Sequence, residues 1–135
     1  YRYCAENPKG FKGYSDACWG LTASYSVKGY NAHMPSNDHG VITPTAALSS
    51  YPYTPEESSK ALKHFYFNLG DSIWGKYGFY DAFSEGENWY PRRYLAIDQC
   101  TITPMIENYR TNLLWNLFMS HPDVQKGIQK IQSIK

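Results

Sequence analysis

Apolar positions recur at helical spacing in three places along the chain, and the stretches between them follow no period. The clearest helix follows Thr54-Pro55-Glu56-Glu57. Thr54 suits the cap, Pro55 the first helical position, and Glu57 can reach back to the cap amide. Ala61, Leu62, Phe65, Tyr66 and Leu69 then lie at i, i+3, i+4 spacing as one apolar stripe, with Lys60, Lys63 and His64 turned to water and Gly70 as the stop. A shorter helix is predicted from Thr43 as cap and Pro44 as first residue to about Ser50. Residues 1–8 read as the last turn of a helix halted at Asn7-Pro8.

The third periodic region is the longest. The pattern predicts a helix from about Pro104 to Met119, preceded by Ile97-Asp98-Gln99 outside it. This helix is apolar on more than one side yet carries Glu107, Asn108, Arg110 and Asn112. It calls for more neighbours than so short a chain supplies, and its polar groups must be paired or serve a ligand. Ser120-His121-Pro122-Asp123 caps a last helix, with Val124, Ile128 and Ile131 expected on its buried side.

Between these helices the chain reads as loop. Asp16 to Ala23 has room for one or two helical turns, and the rest of 9–42 has none. Asp71 to Gly75 is a helical turn at most. Residues 77–88 read as an extended loop or a short β-hairpin, and Trp89 to Leu95 as extended. The fold expected from pattern is all-α with at most one small hairpin. Structureless loops this long in a compact domain are usually functional.

Composition narrows the function classes. A length of 135 residues is one domain or part of one, and a net charge of +1 gives no electrostatic grip on nucleic acid or an acidic membrane. No apolar stretch approaches the length of a membrane span. The 17% aromatic content, with 13 Tyr and 4 Trp, fits either an aromatic core or a groove for a polar ligand with apolar faces, such as a sugar. Cys4, Cys18 and Cys100 are odd in number and widely spaced, which argues against a zinc site. No metal and no cofactor is expected.

Four places could carry chemistry. Asp98 could be a general base or a helix-flanking acceptor; Thr101, three residues on, is not the partner a capping box needs. Glu107 and Arg110, at i, i+3, suggest a buried structural ion pair. Asp81, within Phe79-Tyr80-Asp81-Ala82-Phe83, is a sugar-hydroxyl acceptor or a turn acid, and Trp89 a stacking platform or a cover for helix ends. His39, beside Asp38, could bind substrate or transfer protons, though a lone loop histidine more often does neither.

Taken together, these motifs resemble a known family. Cys18-Trp19-Gly20-Leu21-Thr22-Ala23-Ser24 is followed by Asp38-His39-Gly40 and Pro44-Thr45-Ala46-Ala47-Leu48. Then come Tyr53-Thr54-Pro55-Glu56-Glu57, Tyr77 to Phe83, Ile97-Asp98-Gln99 and Met105-Ile106-Glu107-Asn108-Tyr109-Arg110. In that order and spacing they resemble the glucoamylase-like family, which includes bacterial endo-β-1,2-glucanases and the glucoamylase-like region of cyclic β-1,2-glucan synthases.

The resemblance implies that residues 1–135 are the C-terminal portion of a single (α/α)6 toroid, the remainder lying before Tyr1. It implies an oligo- or polysaccharide substrate, β-glucan with β-1,2 linkage, cleaved by an inverting acid/base mechanism in the periplasm or outside the cell. Asp98 is carried over as the general base. Trp19, His39, Tyr80, Asp81, Trp89 and Gln99 are expected to line subsites, and the general acid to lie outside this chain. The rival expectation is a non-catalytic carbohydrate-binding or scaffolding protein with the same aromatic cleft.

Overall fold

The computed structural model describes residues 1–134. Helices α1 (Arg2–Glu6), α2 (Pro44–Leu48), α3 (Pro55–Phe67), α4 (Gly70–Ile73), α5 (Ala96–Thr111), α6 (Leu113–Ser120) and α7 (Pro122–Gln132) dominate. Two antiparallel hairpins join them: β1 (Ala23–Ser26) with β2 (Gly29–Ala32), and β3 (Trp74–Gly75) with β4 (Gly78–Phe79). The fold is thus mostly helical rather than all-α. The helical turns expected over residues 16–23 do not form, and the first hairpin lies in what was expected to be loop, because its two-residue Val27-Lys28 connection lacks the usual turn residues and leaves only Gly29, at φ 115°, as a signal.

Phe65 of α3, fully buried, anchors the core. Its ring meets Phe79 edge-on at 6.0 Å and Phe83 at 5.8 Å, with Leu48, Ile42, Ile73 and Cys18 around them. Ile42 and Phe83 exchange both backbone hydrogen bonds, at 2.9 Å each, which ties the segment before α2 to the aromatic loop. Gly20 is required where Thr43 donates its amide to the Gly20 carbonyl: at φ 142° a Cβ would lie 2.6 Å from the Thr43 oxygen.

Helix starts fall where proline marks them, at Pro44, Pro55 and Pro122. The predicted capping box does not form: Thr54 donates its hydroxyl to the Ser50 carbonyl, 3.2 Å away. The stripe holds for Ala61, Leu62, Phe65 and Leu69, but Tyr66 is exposed while His64, expected in water, has a buried Nε2. Gly70 opens α4 instead of ending α3, whose cap is Asn68.

The largest correction concerns the central stretch. α5 begins at Ala96, so Asp98 is in its first turn and Pro104 is inside the helix. Proline removes one helical hydrogen bond, to the Cys100 carbonyl, and Cys100 is exposed, so that carbonyl can turn to water. At Asn112, in the left-handed region (φ 56°), α5 gives way to α6. Asn108, buried, caps α6 with its side-chain oxygen, accepting the Leu114 and Trp115 amides at 2.9 and 3.2 Å. The Glu107–Arg110 ion pair forms at 2.7 Å but on an exposed face, not in the interior. No residue of α6 or α7 is buried, Ile131 included, and Leu117 and Phe118 are more than half exposed.

Candidate active site

Asp98 is placed by two elements, α5 and α2. The turn that opens α5 is fixed by the Asp98 and Gln99 amides donating to the Leu95 carbonyl. From α2, the Thr45 hydroxyl donates to the Asp98 backbone carbonyl at 2.6 Å, and Thr101 Oγ1 reaches the same carbonyl at 2.8 Å. Ser49 Oγ lies 2.8 Å from Thr101 Oγ1 and 3.1 Å from that of Thr45. These hydroxyls and Asp98 line a cavity of about 400 Å³, which Tyr30 of β2 and Met105 of α5 also border. None of Thr45, Ser49, Thr101 or Tyr30 was among the expected site residues, although Thr45 lies in the Pro44–Leu48 motif. A further signal was the i, i+4 spacing of Thr45 and Ser49 after a proline-marked helix start.

Asp98 is 9% exposed. Asp81 is buried in the loop after β4 and doubly anchored. Its amide donates to the Arg93 carbonyl at 2.8 Å, and its Oδ2 accepts the Tyr25 amide of β1 at 2.9 Å. Asp81 Oδ1 and Asp98 Oδ2 are both buried and neither meets a protein donor. Burial foremost, then the hydrogen bond to Asp81 and its charge, pushes the Asp98 carboxyl up to about 7. The N-terminal turn of α5 would favour the ionised form, but by less than desolvation and a neighbouring carboxylate oppose it.

The other expected site residues scatter. Trp19 is buried, its indole N–H donating to the Glu57 carbonyl at 3.4 Å, so it belongs to the core and does not face the Asp98 cavity. Gln99 donates its side-chain amide to the Phe79 carbonyl, holding β4 against α5. Tyr80 packs on Tyr94 at 5.0 Å, and the two hydroxyls crowd Gly75 so closely that a Cβ there would collide with both. Trp89 is half-buried and pairs by backbone with Ser84. His39 is exposed, 3.0 Å from Asn37 Oδ1, and borders a separate cavity of about 230 Å³ with Lys28 and Glu87. Its neighbour Asp38 is structural: Tyr14 and the Gly40 amide donate to its Oδ1 at 2.7 and 3.0 Å.

One cluster offers mixed ligands. Cys18, His64 and Glu85 bring donor atoms within 4.8 Å of one another. Burial, then the Glu85 charge, pushes the Cys18 thiol upward, which keeps it in the protonated form that ligates metals poorly. No helix among the described residues is long and apolar enough to cross a membrane.

Comparison with known proteins places these features in a family. The Glycoamylase family model, described as "Putative glucoamylase", matches residues 1–122. The chain is 59% identical over 136 residues to an exo β-1,2-glucooligosaccharide sophorohydrolase (non-reducing end) of Parabacteroides distasonis, covering 99% of this chain and 19% of that protein. It superposes with a TM-score of 0.93 on an endo-β-1,2-glucanase from Chitinophaga pinensis solved with sophorotriose and glucose, at 63% identity over 96% of this chain and 31% of that one. A β-1,2-glucanase structure from Parabacteroides distasonis also superposes with a TM-score of 0.93, at 58% identity over 98% of this chain and 19% of that chain. The chain therefore spans between a fifth and a third of the relatives it matches, and over that span it belongs to the glycoamylase family.

Proposed function

We propose that this chain is the C-terminal part of an (α/α)6 toroid that hydrolyses β-1,2-glucan with inversion, and that Asp98 is its general base. The observation that carries the reading is the Asp98 carboxyl itself: nearly buried, at the edge of a cavity rimmed by hydroxyls, and raised towards neutrality. A base poised near the working pH is what proton abstraction from water needs. Relatives at 58–63% identity whose names specify β-1,2-glucan or its oligosaccharides support the substrate class.

In this reading Asp98 takes a proton from water while the water oxygen attacks the anomeric carbon. The glycosidic C–O bond breaks and the leaving oxygen is protonated by an acid. Asp81 is 1% exposed and commits an oxygen to the Tyr25 amide, so it presents no face to a leaving group. The acid therefore comes from the remainder of the toroid, which also covers the apolar residues of α6. The same reading puts the enzyme in the periplasm or outside the cell.

The test is Asp98→Asn in the intact protein. Hydrolysis of β-1,2-glucan should fall by at least about a thousandfold, while oligosaccharide binding and a cooperative melt no lower than that of the unaltered protein are retained. Undiminished hydrolysis would overturn the assignment. Sugar binding without turnover in the unaltered protein would favour a carbohydrate-binding scaffold instead.

A further inference from the structure

We propose that Cys18, His64 and Glu85 bind one zinc ion, which ties three distant segments of the core together. The site is independent of the hydrolase reading: none of the three residues borders the Asp98 cavity. The number and spacing of Cys4, Cys18 and Cys100 argue against a zinc site built from cysteines. A site that takes one ligand from each of three segments leaves no such trace in sequence.

Each ligand is held by its own element. Cys18 is fully buried, and its amide donates to Ser15 Oγ at 3.0 Å. His64 belongs to α3, one position before the core residue Phe65. Glu85 follows Ser84, which exchanges both backbone hydrogen bonds with Trp89 at 2.9 Å. Gly13, at φ 91°, leaves room for the carboxylate, since a Cβ there would lie 2.5 Å from Glu85 Oε1. Thiol, imidazole and carboxylate bring their donor atoms within 4.8 Å of one another. His64 Nε2 is buried with no partner from the chain, and no ion pair engages Glu85 among the described residues. A buried polar nitrogen is costly unless something satisfies it.

Sulfur, nitrogen and oxygen donors together suit zinc, whereas magnesium and calcium take oxygen alone. Bonds of about 2.0–2.3 Å put neighbouring ligands of a tetrahedral ion roughly 3.3–3.8 Å apart, so the three groups must close by about 1 Å. The long, half-buried Glu85 side chain can supply that movement. Burial keeps the Cys18 thiol protonated without metal. The ion displaces that proton to solvent and bonds the thiolate. One thiolate, one carboxylate and a neutral imidazole then balance a dipositive ion, and a neutral site is the kind a protein interior tolerates. A fourth position is left for water.

The test uses the intact protein stripped with a chelator. Equilibrium dialysis against zinc should recover one ion per chain, and zinc should raise the melting temperature by several degrees. Cobalt in its place should give a thiolate-to-metal charge-transfer band in the near ultraviolet, absent from Cys18→Ser. Glu85→Gln and His64→Gln should each weaken zinc binding at least about tenfold and abolish the rise in melting temperature. Undiminished binding in folded Glu85→Gln and His64→Gln, or cobalt bound without the thiolate band, would overturn the proposal. So would failure of the unaltered protein to retain zinc, a result that needs no variant to fold.

Discussion

The Thr45 hydroxyl donates to the backbone carbonyl of Asp98 across 2.6 Å, joining α2 to the first turn of α5. A side chain on one helix thereby sets where the next presents its acid. Thr45→Val keeps the shape and removes the donor. It should cost about 1 kcal/mol, since Thr101 still reaches the carbonyl, and lower kcat more than it raises KM. Thermal melts and steady-state kinetics read the two effects separately.

The raised Asp98 carboxyl also makes stability depend on pH. Folding takes up a proton between the ordinary carboxylate range and about 7, so this contribution is complete in acid and is lost as pH climbs through that window. Asp98→Asn should flatten the dependence and stabilise the protein above pH 7 by on the order of 1 kcal/mol. Urea denaturation at pH 5 and pH 8 checks the sign.

Asn108 supplies a cap to α6 from within α5. Asn108→Ala leaves the Leu114 and Trp115 amides without that acceptor and should cost about 1–2 kcal/mol. Amide exchange should quicken in residues 113–116 while α3 keeps its protection.

Trp19 separates a core role from a sugar-binding one. Because it is buried and bonded to Glu57, Trp19→Phe should lower the melting temperature by several degrees and leave KM for oligosaccharide unchanged. A raised KM with an unaltered melt would return Trp19 to the cleft.

What could be read from sequence divides along physical lines. Pro44, Pro55 and Pro122 mark helix starts because a fixed φ and a missing donor are local properties. The same rule misled at Pro104, where neighbouring structure tolerates the lost bond and the helix begins eight residues earlier. Trp19 was expected at a subsite and lies in the core, because an aromatic ring in a sequence suits a core and a sugar platform alike. Asp98 stood out from its motif, but the Thr45 hydroxyl that holds its backbone comes from α2 and has no periodic trace. The Glu107–Arg110 pair was legible from spacing, and its exposed setting was not.

The residues that fix Asp98 lie far from it along the chain: Thr45 is 53 positions away, and the Tyr25 amide that pins Asp81 is 56 from its acceptor. Each loop must close before either contact contributes, so local helices such as α3 form first and the anchoring of Asp98 and Asp81 is a late event in folding. Refolding followed by far-ultraviolet dichroism should run ahead of recovered activity. An interrupted fold would hold most of its helices and none of its chemistry.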